Sequence, residues 1–587
     1  MRASRKPGVL YRVPSTVAAT ETFTPAEAAA LSPYFGNTDS PIFVLTNLPE
    51  VVKGALFARY SRSAKSVRRL FLDEFLETAG EVDHGGAEGP GSARAETLYR
   101  RVFDQYGDDS VAQLGGAHLA CEGVSNVLTK VLERGRLMSY LEQSTRYVPY
   151  TQRPDGRWKY VIPGELQEDA ERADYAAVLD RAFETYARWI EPVQRLFRER
   201  HPKAEGDSDG VYRAVIRAKA LDTLRGLLPA ATRSNVGIYG SGQAWEALLL
   251  RMRAHTLAES REVAGLMLPE LRKVIPAFLQ RVDRENRGVL WSDYLHERRV
   301  ATEALAASMD GGPGGVRRGG VEQVAGLEAG APAGAPADAP SGAPAGDEVT
   351  LTDFDPDGEV KVVAAALYAA SDVSHGQLLA RARAMSTEER VRALRAYTGE
   401  RSNRRHRPGR AFEHADYTFD ILSDYGAFRD LQRHRLLTLD WQALTARHGC
   451  TRPEAIDAVG ARDDWDRVMA DSADLAARLE GRHSLLVAQY AVAMAYRIRF
   501  YMRMNAREAM HVIELRTTPQ GHPAYRRVCQ RMHRLIAERA GHRAIAEAMT
   551  FADHSEVELE RLDSERASER KRTASPPPRS GRTPTGT

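Results

Sequence analysis

The sequence predicts two tandem, mostly helical α+β domains joined by a disordered linker. Two similar segments lie about half a chain apart, one beginning at Arg134 and the other at Arg433. A stretch rich in Gly, Ala and Pro separates them. On each side of it, apolar residues recur at helical spacing beside short strand-like runs. A chain of 587 residues is also too long for one hydrophobic core and suits two domains.

Local patterns predict how each domain begins. Each one opens with a strand followed by a helix: strands are predicted at 41–45 and 349–351, and helices at 48–52 and 360–364. A further strand is predicted just before each of the similar segments, at 116–120 and at 417–421.

Helical periodicity dominates the remainder of both domains. Between 170 and 197, the apolar residues Tyr175, Val178, Ala182 and Tyr186 fall on one stripe, which predicts an amphipathic helix packed on a core. The same type of pattern predicts helices at 475–499 and 505–515.

Composition also sets the domain boundaries. From 310 to 348 the chain is mostly Gly, Ala, Pro and Asp, with too few apolar side chains to offset the entropy lost on ordering. A Ser/Thr/Pro/Arg segment closes the chain and is expected to be a solvated, disordered tail, with contact to nucleic acid or a partner as the alternative. The expected organisation is an extension at 1–40, domains at 41–309 and 349–563, a linker at 310–348 and a tail at 564–587.

Charge and hydropathy exclude several classes of partner. The 82 Lys and Arg residues nearly balance 79 Asp and Glu residues, so a net charge of +3 provides no overall basic field for nucleic acid. No apolar run is long enough to cross a bilayer. The basic N-terminal residues are not followed by the apolar segment of a secretory signal. We therefore expect a cytoplasmic protein with neither a membrane nor a nucleic-acid partner.

The cysteines indicate a reducing compartment. Cys121, Cys450 and Cys529 are odd in number, far apart in sequence and without C-x-x-C spacing. This pattern argues against a disulfide framework and against a zinc site, so no metal is expected.

Candidate binding chemistry begins in a polar stretch that contains Ser139, Ser144, Arg146 and Tyr147 and should not form a continuous helix. An arginine can grip an oxyanion through two hydrogen bonds while hydroxyl groups donate to the remaining oxygens. The stretch is therefore a candidate cradle for a phosphate or nucleotide. On local chemistry alone, a polar loop with a surface arginine is the alternative.

The two similar segments resemble the signature of the flavin-dependent thymidylate synthases, R-H-R-x-x-S-x-N-x-x-S-x-R-Y. The first copy, 134–147, keeps both arginines, both serines and the final Arg-Tyr, but has Gly135 for the histidine and Leu141 for the asparagine. The second copy keeps Arg433-His434-Arg435 and then diverges. Its residues at the later signature positions are Thr438, Asp440, Ala443, Thr445 and Ala446.

Further motifs strengthen the resemblance in the second half. The segment from Asn505 to Arg516 is similar to the family's C-terminal active-site helix, N-A-R-x-x-x-[NH]-x-x-x-L-R. On a helix, Asn505 and Arg516 fall along one face about 16 Å apart, a spacing that suits one long ligand. Upstream, 412–414 reads F-E-H like another family element.

The resemblance implies a division of labour between the halves. The first half keeps the residues that would bind dUMP, namely Arg225, Glu142, Gln143, Ser144, Arg146 and Tyr147. The second half keeps the residues that would contact FAD, namely Arg433, His434, Arg435, Asn505, Arg507 and His511. Arg516 would grip the uracil ring and act in catalysis by stabilising negative charge on its carbonyl.

The implied reaction makes dTMP from dUMP with methylenetetrahydrofolate, NADPH and bound FAD. Family members build each site from several subunits of a homotetramer, so a fused pair could form one composite site while the reciprocal site decays. The implied assembly is a homodimer with four domains. The alternatives are a catalytically degenerate paralogue that binds FAD or a pyrimidine nucleotide without turnover, and a flavoprotein that acts on another pyrimidine nucleotide.

Overall fold

A computed structural model describes residues 21–76 (apart from 41, 61–62 and 64), 113–309 (apart from 206), 348–556 and Arg566. Apart from Glu348 and Arg566, the predicted linker and tail lie outside the described residues, as does half of the predicted N-terminal extension.

The first half combines helices with a small antiparallel sheet. Its α-helices are α1 Pro25–Leu31, α2 Glu50–Tyr60, α3 Val67–Glu74, α4 Asn126–Leu132, α5 Asp169–Arg200, α6 Asp209–Leu224, α7 Gly242–Arg253, α8 Ala258–Arg272 and α9 Leu290–Met309. Its strands are β1 Gly116–Ser125, β2 Met138–Glu142 and β3 Arg233–Ser241, arranged in the order β1-β3-β2.

The second half follows the same plan. Its helices are α10 Gly358–Tyr368, α11 His375–Ala384, α12 Thr387–Thr398, α13 Tyr425–Leu431, α14 Glu454–Ala458, α15 Arg462–Arg482, α16 Leu485–Ala488, α17 Ala506–Arg516, α18 Pro523–Glu538 and α19 Arg543–Ala548. Its strands are β4 Glu348–Phe354, β5 Asp416–Asp424, β6 Thr438–Trp441 and β7 Arg497–Asn505, in the order β4-β5-β7-β6. The predicted α+β class with a helical majority is confirmed.

Equivalent strands pair in the same register in the two sheets. Glu142 of β2 lies opposite Val236 of β3, and Trp441 of β6 lies opposite Phe500 of β7. Each central strand then runs directly into a helix, which Ser241 caps in the first half and Asn505 in the second. Pairing and caps together define which residues of the two halves are counterparts.

Most of the predicted elements are confirmed, and two are wrong. The segment at 42–45 forms no strand; only Leu45 makes an isolated bridge, to Phe35. The predicted helix at 475–499 ends at Arg482 and is followed by the short helix α16, a 3-10 turn and β7. The long helix at 170–197 and the one at 505–515 are present as α5 and α17.

Two long helices join the halves as an antiparallel pair. Arg188 and Arg181 of α5 contact Asp464 and Asp471 of α15 at 2.7 and 3.1 Å. Further along the pair, Asp174 meets Arg478 at 2.8 Å. From one ion pair to the next, the residue number falls in α5 and rises in α15, so the two helices run antiparallel.

Main-chain hydrogen bonds relate the halves by an approximate two-fold axis. Ala230 N donates to Val492 O at 2.8 Å, and the counterpart of Ala230, Met494, donates to Leu228 O at 2.9 Å. Ala231 and Ala495 make a second reciprocal set with Tyr490 and Gly226, both at 3.0 Å. Such exchange of equivalent contacts is the geometry of an isologous interface, formed here within one chain.

The larger hydrophobic core spans both halves. It contains Tyr175, Phe183 and Leu221 of the first half together with Phe419 and Val512 of the second. A smaller core lies within the first half alone. Across the described ranges, no helix is both long and apolar enough to span a lipid bilayer.

Candidate functional site

One cavity lies where the halves meet, with a volume of about 740 Å³. The first half contributes β2, the loop after it and the C-terminal end of α6, whereas the second contributes α13, α17 and α18. Five arginines and three carboxylates line it, and the excess of positive charge favours an anionic ligand. The arginines are Arg146, Arg225, Arg429, Arg433 and Arg516.

Most of the predicted site residues come together here. All six predicted substrate residues of the first half line the cavity, together with Arg433 and Arg516 of the second half. The loop is anchored where Gln143 N donates to Asn235 O at 2.8 Å. Next, the Ser144 hydroxyl accepts a hydrogen bond from Arg146 N at 3.3 Å.

Asp222 holds two of the arginines in place. Its carboxylate accepts from Arg146 Nε at 3.0 Å and lies 3.2 Å from Arg225 Nε. Burial by itself would raise the pKa of Asp222, but Arg146, His522 and Arg225 outweigh it and keep the pKa well below its usual value. The group is therefore an anion that orients both guanidinium groups.

Arg225 keeps one donor available. It sits where α6 ends in a 3-10 turn, shortly before Pro229, and is only 6% exposed. Within the described ranges, no hydrogen-bond acceptor pairs with its buried Nη2 atom. A buried unpaired donor in a cationic cavity is costly unless a ligand satisfies it, so this atom indicates an anion site.

Glu142 is the centre of a buried ion cluster. Its side chain is fully buried, and its carboxylate lies 2.7 Å from Arg429, 3.3 Å from Lys130 and 3.3 Å from Arg433. Burial raises the pKa of Glu142, but these three cations outweigh it, so the pKa lies well below its usual value. Contact with substrate stays a prediction for Glu142; what the contacts show is that it fixes Arg429 and Arg433.

Arg516 reaches the cavity from the last turn of α17. Its Nε atom donates to His434 Nε2 at 2.9 Å, and its Nη1 atom lies 3.8 Å from Asp430. Although burial raises the pKa of Asp430, the arginines around it lower it to about 2. The His434 imidazole and the Asp430 carboxylate therefore fix the position of the Arg516 guanidinium.

His434, Glu508 and His511 form a cluster whose possible ligand atoms all lie within 4.8 Å of one another. Burial lowers the pKa of His434 to about 3 and that of His511 to about 4, so both imidazoles are neutral at pH 7. His434 Nε2 accepts from Arg516, and His511 Nδ1 accepts from Arg407 Nη2 at 3.1 Å. A neutral imidazole has one lone-pair nitrogen, so neither ring has one left for a metal ion.

The other predicted flavin residues lie outside the cavity lining. Arg435 turns towards the first half and donates to the Ser139 hydroxyl at 3.2 Å. Asn505 caps α17 by accepting from Glu508 N at 2.9 Å. Arg507 donates to Pro408 O at 3.1 Å and lies 3.5 Å from Glu413 of the F-E-H element. Of the two residues predicted to address one ligand from one face of this helix, Arg516 lines the cavity and Asn505 does not.

At the reciprocal position, uncharged residues stand in place of two of the cavity arginines. At the places of Arg225 and Arg516, the counterparts are Gln489, at the end of α16, and Met252, at the same distance from the cap of α7. Gln489 is tied to the main chain, because its Oε1 atom accepts from Leu444 N at 2.9 Å. Trp441 stands in place of Glu142 and packs on Phe428, which in turn packs on Phe500. Arg251 and Arg253 flank Met252 in the sequence, but cap alignment makes Met252 the counterpart of Arg516.

Gly135 shows why the first triplet lacks a histidine. The Tyr140 hydroxyl donates to Gly135 O at 3.1 Å, and a Cβ atom at position 135 would come within 2.6 Å of that hydroxyl. In the second half, the counterpart of Tyr140 is Leu439, which has no hydroxyl. The contact between Gly135 and Tyr140 therefore has no equivalent in the second half, where His434 and Leu439 take their places.

Sequence reasoning missed several residues that line or support the cavity. Asp222 precedes Arg225 by one helical turn, and Arg429 and Asp430 precede Arg433 by one turn, so helical spacing from the motif could have found them. Tyr525 carries no such signal. Cys121 also lines the cavity, but burial raises its pKa to about 11, which keeps the thiol protonated and opposes a nucleophilic role.

Comparison with known proteins identifies the family of this chain. The family described as thymidylate synthase complementing protein matches residues 55–277 and again 350–540. The chain belongs to this family. Its two matched segments are consistent with a tandem duplication.

Some relatives match nearly the whole chain, whereas others match about one third of it. A UPF0159 protein of Chlamydia muridarum is 37% identical over 549 residues, covering 92% of this chain and 98% of the relative. A UPF0159 protein of Thermoplasma acidophilum is 29% identical over 87% of this chain and 97% of its own length. A flavin-dependent thymidylate synthase of Mycobacterium sp. (strain KMS) is 30% identical over 191 residues, which cover 32% of this chain and 70% of that enzyme.

Proposed function

We propose that this protein is a flavin-dependent thymidylate synthase that converts dUMP to dTMP with methylenetetrahydrofolate and NADPH. The observation that carries the proposal is the composite cavity, which arginines of both halves line and in which a buried donor of Arg225 has no partner. A nucleotide monophosphate offers the anion that this donor lacks. The relatives named as flavin-dependent thymidylate synthases supply the reaction class.

Residues of the two halves would hold opposite ends of dUMP. Arg146 and Arg225 are already oriented by Asp222 and would bind the phosphate through charge-assisted hydrogen bonds. Arg516 would approach a uracil carbonyl and stabilise the negative charge that develops there. Because His434 and Asp430 fix Arg516 beforehand, little reorganisation is needed when the charge forms.

The second half also offers a donor set that fits a flavin dinucleotide. Arg433, Arg407 and Arg507 each keep part of their side chain at the surface beside the cavity or the His511 cluster, and cationic donors suit a pyrophosphate. When bound, FAD would supply the hydride that completes the methyl group. Arg433, His434, Arg435, Asn505, Arg507 and His511 are the residues proposed to hold it.

The proposal is tested with the purified full-length chain. Flavin absorbance of the protein, binding of dUMP measured by calorimetry, and release of tritium from 5-labelled dUMP with the folate and NADPH are all expected. A colourless protein that neither binds dUMP nor releases tritium would refute the function.

The divergent signature positions favour one alternative, a degenerate paralogue that binds FAD or a pyrimidine nucleotide without turnover. Gly135 and Leu141 replace signature residues, and Glu142 is engaged in an ion cluster. Binding of flavin and dUMP without tritium release would establish this alternative. Binding of another pyrimidine nucleotide in preference to dUMP would identify a different substrate.

A homodimer of the fused chain is proposed as the assembly. Leu137 and its counterpart Leu436 are 66% and 69% exposed, and Leu141 is 79% exposed, beside β2 and β6. Large apolar side chains grouped at a surface commonly mark a contact with another chain. Light scattering after gel filtration should give twice the chain mass of 65.0 kDa.

A further inference from the structure

Tyr525 lies close to both of the arginines that are proposed to hold opposite ends of the nucleotide. Its ring lines the cavity and is 5% exposed. The guanidinium carbon of Arg146, from the first half, lies 5.9 Å from the ring centre. The corresponding carbon of Arg516, from the second half, lies 5.4 Å away. Both distances allow cation–π attraction.

The start of α18 holds the Tyr525 ring in place. His522 caps the helix by accepting from Ala524 N at 3.2 Å, and Pro523 occupies the first helical position. A Cβ atom on Gly521 would lie 2.7 Å from the Tyr525 ring, so glycine leaves the space that the ring needs. His522 also lies 3.8 Å from Asp222, the carboxylate that orients Arg146. Segment 521–525 therefore contacts both arginines through the Tyr525 ring and also lies next to Asp222 through His522.

The first half lacks this arrangement at the counterpart position. Ser260 is the third residue of α8, as Tyr525 is the third residue of α18. The Ser260 hydroxyl donates to the main-chain oxygen of Met252, the counterpart of Arg516. An aromatic ring thus occurs where the arginine pair occurs, and both are absent from the reciprocal position.

We infer that Tyr525 is a positioning residue that sets the separation of Arg146 and Arg516, and so selects a pyrimidine nucleotide carrying both a phosphate and a base carbonyl at that separation. The inference rests on the proposed function. The ring face carries partial negative charge and attracts both guanidinium groups. Because the start of α18 fixes the ring, both arginines are held in place before the ligand binds. A ligand that contacts both arginines therefore loses less free energy to ordering these side chains.

The test compares the affinities of variants for dUMP and for deoxyuridine by calorimetry. Tyr525→Leu, which keeps apolar volume but removes the ring, should weaken dUMP binding about 5- to 30-fold, as expected for two cation–π contacts. The loss for deoxyuridine should be smaller, because that ligand has no phosphate for Arg146. Tyr525→Phe keeps the ring and should lose less affinity for dUMP than Tyr525→Leu. Ser260→Ala, at the counterpart position, serves as the matched control and should bind dUMP as the wild type does.

Coupling separates positioning from a general loss of structure. In an Arg146→Gln background, Tyr525→Leu should have a clearly smaller effect on dUMP affinity, because the ring acts through that arginine. Equal losses for the Phe and Leu variants, or an undiminished effect in the Arg146→Gln background, would overturn the inference while wild-type binding of dUMP still supports the proposed function. Absence of dUMP binding by the wild type would overturn the proposed function, and this inference with it.

Discussion

At the scale of single residues, two carboxylates organise the cavity by holding arginines of both halves. Asp222 pairs with Arg146 and Arg225 at about hydrogen-bond distance, whereas Asp430 lies 3.8 Å from both Arg433 and Arg516. The closer pairing keeps the two proposed phosphate ligands rigid. The looser pairing leaves Arg516 more of its hydrogen-bonding capacity for a ligand.

We expect substitution of Arg146 to affect substrate affinity and substitution of Arg516 to affect kcat. Arg146→Ala should weaken dUMP binding about 10- to 100-fold, since a hydrogen bond to a charged group contributes about 1.5–3 kcal/mol. Arg516→Ala should lower kcat about 100- to 1000-fold, as expected on loss of one donor to a developing oxyanion. Calorimetry and the tritium-release assay measure the two effects separately.

The reciprocal position supplies the controls for these variants. Thr445→Ala and Met252→Leu alter the counterparts of Arg146 and Arg516 and should leave dUMP affinity and turnover at the wild-type level. Wild-type dUMP affinity in Arg146→Ala would remove the first-half loop from substrate binding.

Buried histidines should make stability depend on pH. Burial lowers the pKa of His522 to about 3, whereas an unfolded histidine titrates near 6.5. Between these values the unfolded chain binds more protons than the folded one, so the free energy of unfolding falls as pH decreases from about 6.5 to 3. Above about 6.5 this group contributes no pH dependence.

His522→Asn tests this effect while keeping an acceptor that can cap α18. The dependence of unfolding free energy on pH between 6.5 and 4 should become shallower by up to about 1.4 kcal/mol per pH unit, the contribution of one proton. Urea titrations at several pH values measure the slope. An unchanged slope would show that His522 is protonated equally in both states.

At the scale of elements, α17 combines a structural cap with proposed flavin contacts, and the two roles can be separated. Asn505→Ala removes the cap and should cost about 1 kcal/mol of stability, whereas Asn505→Ser restores an N-cap acceptor. If Asn505 also binds FAD, both variants should lose flavin affinity. Ser241→Ala, at the equivalent cap of α7, should cost similar stability without affecting flavin. Denaturant titration and flavin fluorescence report the two quantities, and retention of flavin by both Asn505 variants would refute its cofactor role.

The sequence predicted elements that fold by local rules and failed where the other half supplies the partner. Helix α5 follows from its apolar stripe, and α17 from its cap and motif. The segment at 491–496 is apolar and buried, and its apolar residues fit the periodicity of the helix predicted at 475–499. Its main chain instead pairs with Leu228 and Ala230 across the two-fold axis. The local sequence pattern contains no information about a partner segment in the other half.

The candidate site divides in the same way. Motif spacing located Arg146, Arg225 and Arg516, because each lies in a stretch that resembles the family signature. Tyr525 became apparent only when folding placed α18 of one half against the substrate loop of the other. Its contribution depends on tertiary distance, which no spacing in the sequence encodes.

At the scale of the whole molecule, the approximate two-fold axis implies two sites, whereas the side chains provide for one. We therefore predict one FAD per chain. Gly135 and Tyr140 leave no room for a histidine in the first triplet, and Ser241 to Ala244 lacks the Asn-Ala-Arg sequence of α17. Flavin absorbance divided by protein concentration gives the ratio. A ratio of two would mean that the first half binds flavin without these residues.

Because residues of both halves of one chain line the cavity, the site should not depend on exchange between chains. Arg146→Ala and Arg516→Ala each damage one half, and each chain carrying either variant has a damaged cavity of its own. Co-expression of the two variants allows mixed dimers to form during folding. At a dUMP concentration too low to occupy Arg146→Ala, the mixture should therefore show no more turnover than the two variants assayed separately. If sites instead form between the first half of one chain and the second half of its partner, some mixed dimers would combine two intact halves and about a quarter of the activity could return. Purification with two different affinity tags would confirm that mixed dimers are present. Recovered turnover in that fraction would place the composite site between chains and contradict the arrangement of Arg146, Arg516 and Tyr525 within one.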